Sequence, residues 1–141
     1  MRQIRLHGRF GQPVGRLAAA IAEHAMRQGK HVQLFNSFAA FRPGGPMYAV
    51  VRVDDAPIRE RSANSVSPDI VIVLDNSLLG AAEAVKGLKP GGVVAALGAG
   101  DLLREKAGEY SYVALDPFIA GSGLREAEAG IIRCLETLKV F

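Results

Sequence analysis

The residues best equipped for chemistry crowd into "HGRFGQPVGR", residues 7–16. Gly8, Gly11 and Gly15 can turn tightly and let a ligand approach the backbone, while Arg9 and Arg16 bring positive charge. Gln12 adds an amide that both donates and accepts. Pro13 suits the first turn of a helix, because its missing N–H would have had no intrahelical partner there. A helix opening at this point presents free N–H groups and the positive end of its dipole, which is how many proteins hold an anion. The spacing is G-x-x-G-x-x-x-G, so it is not the G-x-G-x-x-G of dinucleotide binding, and the lysine and Ser/Thr of a P-loop are absent. An anion-ready turn is one reading of this loop. Glycines that only let a helix pack closely on a sheet are the other.

The remaining signals for chemistry are weaker. "QLFNSF" ends a candidate strand without the acidic residue that would grip a ribose hydroxyl. "LKPGGVVAAL" has the turn found before a strand in methyltransferases that use S-adenosylmethionine, but it lacks their first-strand loop and acidic contact. His7, His24 and His31 do not have metal-ligand spacing, and there is no G-x-S-x-G nucleophile elbow. His24, in mid-helix, reads as a surface or packing residue. Cys134 is the single cysteine, so an internal disulfide and any cluster or zinc site built from several thiolates of this chain are excluded. Its apolar neighbours in "AGIIRCLETL" predict a small buried hydrophobe.

Alternating strands and helices must position the loop. "QIRLHG" reads as a first strand, residues 12–28 as a helix with Val14, Leu17, Ala18, Ile21 and Ala25 on one face, and Gly29 as its stop. "HVQLF" and "MYAVVRVD" follow as strands, then "IVIVLD", whose wholly apolar run predicts a central strand buried on both faces. A helix over 76–88, capped by Asp75, Asn76 or Ser77, leads to the strands "GGVVAALG" and "YSYVAL", with a short helix near 101–107 between them. The last helix, about Leu124 to Lys139, aligns Leu124, Ala127, Ile131, Leu135 and Leu138 for packing on the sheet. The pattern predicts one domain over residues 1–141. Its fold is a three-layer α/β/α sandwich, Rossmann-like, with a mainly parallel sheet open to a mixed pairing where "RPGGP" enters the third strand.

Composition narrows the partners. At 141 residues and 49% hydrophobic, the chain can bury a full core. No apolar run is long enough for a membrane span, and the start has no apolar leader, which predicts a soluble, cytoplasmic protein. The net charge of +3 is uneven: residues 1–61 carry ten Arg/Lys against four Asp/Glu, and residues 62–141 carry seven against ten. The first half therefore favours an anionic ligand or an acidic partner. Its basic residues are scattered and not interleaved with aromatics, so nucleic acid is not expected.

Several motifs in order go further. The loop Gly8, Arg9, Gly11, Gln12 is followed by Phe35, Ser37, Phe38, then by Arg42, Gly44, Pro46, then by Val51, Asp54 or Asp55, Pro57, Ile58, Arg59. Together with "SPDIVIVLDNSLL" and "LKPGGVVAALG" these resemble the gamma subunit, or gamma domain, of the thiamine-dependent 2-oxoacid:acceptor oxidoreductases, the pyruvate:ferredoxin oxidoreductase family. The resemblance covers roughly residues 5 to 98. Phe10 and Pro13 stand where the family loop has glycines, and the part after about residue 110 is shorter than in typical gamma subunits.

The resemblance implies a non-catalytic subunit of a multi-subunit enzyme that oxidatively decarboxylates a 2-oxoacid such as pyruvate to an acyl-coenzyme A, or runs in reverse. Alpha, beta and delta subunits would be its partners, with ferredoxin or another acceptor reached through the complex. Thiamine diphosphate, Mg2+ and [4Fe-4S] clusters would sit on those partners, and none on this chain alone. Coenzyme A is a ligand the gamma subunit can share. Gly8, Arg9, Gly11, Gln12 and Arg42 are then expected to face a coenzyme channel or a subunit interface, and the isolated chain should show no turnover. A different class of reading is a free-standing anion-binding or regulatory module with the same fold.

Overall fold

The computed structural model describes residues 2–9, 12–36, 46–59, 68–74, 88–89, 91–97, 111–115 and 124–140. Among these, the strands are β1 (Arg2–Arg9), β2 (His31–Asn36), β3 (Pro46–Asp54), β4 (Ile70–Val73), β5 (Val93–Ala96) and β6 (Ser111–Ala114). Helix α1 (Val14–Arg27) lies between β1 and β2 in sequence, and α2 (Leu124–Thr137) follows β6. The strands form one sheet in the order β2-β3-β1-β4-β5-β6. The pairs β1/β4, β4/β5 and β5/β6 are parallel, whereas β3 runs antiparallel to both β1 and β2. The sheet is thus mixed and mainly parallel. The reversed strand is the third, the one that "RPGGP" precedes, because a short connection favours an antiparallel neighbour over a crossover.

Both described helices pack on one face. On that side β1 turns Ile4 and Leu6 inward beside Ala49, Val51 and Val53 of β3 and Ile70 and Ile72 of β4. The α1 stripe Val14, Leu17, Ala18, Ile21 and Ala25 is buried against them. From α2, Ile131 and Leu135 join the same core, with Leu124, Ala127 and Leu138 partly buried at its margin. Each fully buried Leu or Ile contributes about 1.5–3 kcal/mol relative to exposure, so these side chains, more than helix propensity, hold the helices in place. His24 of α1 meets Glu136 of α2 at 3.1 Å, which gives it a packing role between the helices. Cys134 is 1% exposed in this core, and burial pushes its thiol above the ordinary value. The opposite face is shielded too: Val50, Val71, Val73, Val94 and Ala96 are all buried. The helices expected over 76–88 and 101–107, and the caps Asp75, Asn76 and Ser77, lie outside the described residues save for Leu88, which is buried and not helical.

That second face also carries a polar row. Gln33, Arg52 and Gln3 stand side by side on β2, β3 and β1. Arg52 is 0% exposed. Its Nε donates to Gln3 Oε1 at 2.8 Å and its guanidinium donates to Gln33 Oε1 at 3.1 Å, while its Cζ lies 5.1 Å from the centre of the Phe35 ring. The Gln33 amide donates onward to the Ile58 carbonyl at 3.4 Å. At the amino end of the sheet, Asp69 accepts from the Gln3 N–H at 2.8 Å and from Lys89 at 3.2 Å, locking the entry of β4 beside β1.

The two helices end alike but with different residues. After α1 the N–H groups of Gly29 and Lys30 return to Met26 and Ala25, and Gly29 has φ 80°. After α2 the N–H groups of Lys139 and Val140 return to Glu136 and Leu135, but the left-handed position is Lys139, at φ 59°. The helix stop predicted at Gly29 is where it was expected, and α2 ends before Lys139 because that residue closes the turn. Since a side chain in this conformation costs about 1 kcal/mol, Lys139→Gly should stabilise the protein by roughly 0.5–1 kcal/mol and Gly29→Ala should destabilise it by a similar amount. Urea denaturation of both variants checks this, and a Lys139→Gly protein no more stable than the parent would contradict it.

Candidate functional site

The carboxyl end of β1 meets the start of α1 at the edge of the sheet where α/β proteins place their ligands. Gly8 belongs to the helix-facing side of β1. A Cβ there would lie 2.5 Å from Val14 Cγ2 and 3.0 Å from Gln12 Oε1, so only glycine lets the first turn of α1 sit this close to the strand. Pro13 forms the N-cap and offers no side-chain hydrogen bond, and the first turn holds no acidic residue. The Val14 N–H turns back to the Gln12 carbonyl at 2.9 Å. On the other side of this turn, a Cβ on Gly15 would lie 3.5 Å from Asn36 Oδ1, which brings the end of β2 into the same neighbourhood.

Of the residues singled out from the sequence, the structure thus brings Gly8 and Gln12 together. Arg9 closes β1, its backbone paired with Pro46 of β3. Gly11 and Arg42 lie outside the described residues. Arg16 is exposed on the first turn of α1. Asn36 was not anticipated, because nothing in the local pattern of "QLFNSF" reveals that β2 ends against Gly15.

A second missed group lies one residue before Gly8. Arg5 and His7 share the face of β1 away from the helices, and Arg5 Nε donates to His7 Nε2 at 2.8 Å. Nε2 is therefore the acceptor nitrogen and the imidazole carries its proton on Nδ1. The Tyr48 ring lies 5.9 Å from the imidazole, tilted by 36°, across the β1/β3 pair. Burial, reinforced by the Arg5 charge, holds His7 down to about 4. The signal was present as polar residues at every second position, Gln3, Arg5, His7 and Arg9. On sequence alone that alternation describes a solvated strand face.

Chemically, this edge offers a helix start with no acidic residue in its first turn, a terminus whose polarity favours negative charge. Among the described residues no three His, Cys, Asp or Glu side chains gather as a metal site, and Cys134 is buried. An iron–sulfur cluster therefore has no ligand set among the described residues. A cleft of about 250 Å3 lies at the opposite, amino edge of the sheet, where the Lys89–Asp69 pair lines its wall. No helix among the described residues is long and apolar enough to cross a membrane.

A protein-family model described as pyruvate ferredoxin/flavodoxin oxidoreductase matches residues 3–132. The chain belongs to this family. It is 45% identical over 94 residues to a pyruvate/ketoisovalerate oxidoreductases common subunit gamma of Thermococcus kodakarensis, a stretch that covers 67% of this chain and 50% of the relative. It is 41% identical over 101 residues to pyruvate synthase subunit PorC of Methanothermobacter thermautotrophicus, covering 72% and 56%. Among solved structures, the pyruvate oxidoreductase subunit PORC of Thermotoga maritima is similar with a TM-score of 0.64 and 30% identity, covering 92% of this chain and 68% of that one. The matched stretches span about half the length of these two curated relatives.

Two outcomes follow from the junction. Gly8→Ala should cost about 1–3 kcal/mol by forcing Val14 aside, and part of that cost should disappear in the double variant with Val14→Ala. Strictly additive losses in a double-mutant cycle would mean that the contact does not set the geometry. For His7 the folded state resists a proton that the unfolded chain accepts below the ordinary value of 6.5. Stability should therefore fall as pH drops from about 6.5 through about 4, by ~2–3 kcal/mol from this group alone. Denaturation midpoints across that window should fall less steeply for His7→Gln, which keeps an acceptor for Arg5; equal slopes would remove His7 as the source.

Proposed function

We propose that this chain is the gamma-type component of a 2-oxoacid:acceptor oxidoreductase, a multi-subunit enzyme that decarboxylates a 2-oxoacid such as pyruvate to an acyl-coenzyme A, or works in reverse. The observation that carries this reading is the family match over residues 3–132, which takes in the whole junction from Gly8 to Gln12. In this reading the chain performs no redox step. Thiamine diphosphate, Mg2+ and iron–sulfur clusters belong to alpha-, beta- and delta-type partners, and ferredoxin or another acceptor takes the electrons in the cytoplasm. The lone, buried Cys134 supports that division of labour.

Gly8, Arg9, Gly11, Gln12 and Arg42 would then face a subunit interface or the approach for coenzyme A. A coenzyme with several phosphates suits a positively charged half-chain, a helix start free of carboxylates and arginines that can grip two phosphate oxygens at once. Mild affinity purification of the chain from its native cells should bring down larger chains with thiamine diphosphate and the brown absorbance of clusters. A colourless chain eluting alone near 15.0 kDa would instead favour a free-standing anion-binding module. In the assembled enzyme, Arg9→Ala and Arg42→Ala should raise the KM for coenzyme A about 10-fold or more with kcat little changed. Unchanged kinetics with weaker assembly would leave these arginines an interface role only.

A further inference from the structure

We draw no further inference here: the strongest candidate, the cleft of about 250 Å3 at the amino edge of the sheet between Arg2, Lys89 and the Gly91–Gly92 turn, carries nothing, because Lys89 is already paired with Asp69 at 3.2 Å and nothing in the structure shows what covers the cleft.

Discussion

One buried cation, Arg52, braces the half of the sheet that carries the candidate site. Arg52 has left water entirely, and an ion of this kind is tolerable inside a protein only if its donors are matched. The match comes from strands far apart in sequence: Gln3 on β1, Gln33 on β2, and the Phe35 ring against the guanidinium plane. A one-residue slip of any of these strands would turn its glutamine to the helical face and leave the arginine without that bond. Register on the β2-β3-β1 side is therefore specified by polar geometry, while on the β4-β5 side apolar burial combines with Asp69, which pins the entry of β4 to Gln3 and Lys89. The position of Gly8 under Val14 follows from this register, because Gly8 is fixed five residues along β1 from Gln3.

The sequence made the local parts of this arrangement visible and hid the collective ones. Periodicity of 3.6 in Val14, Leu17, Ala18, Ile21 and Ala25 announces α1, and the uniform apolar run Ile70–Val73 announces a central strand; each is a property of neighbouring residues. The mixed pairing at β3 was legible in the shortness and composition of "RPGGP" in the sequence that leads into it. Arg52 was not legible. It occupies an alternate position in an amphipathic-looking strand, where a charge ordinarily faces water, and only the strand order reveals that two glutamines flank it. His7 and Asn36 were hidden for the same reason, since their roles depend on Arg5, Tyr48 and Gly15, which come together only when the sheet is assembled.

Within the candidate site the sequence pointed to glycines and arginines as a ligand loop. The structure gives Gly8 a second and sufficient reason to be glycine, the closeness of Val14. Both readings of the loop are thereby compatible at one residue. Packing creates the tight junction, and the junction in turn aims the start of a helix free of carboxylates at whatever lies beyond the sheet.

The central position of β1 has a consequence for the chain as it leaves the ribosome. It is the earliest of the described strands, yet its neighbours are completed only at Asp54 on one side and Val73 on the other. During synthesis it must wait with both flanks open through dozens of residues, the condition under which nascent strands stick to one another. Arg2, Arg5 and Arg9 punctuate it at intervals that keep any apolar run to a single residue or two. Such charges act as gatekeepers against premature association, so the same arginines that tint the finished protein positive also keep this strand dispersed until its neighbours arrive.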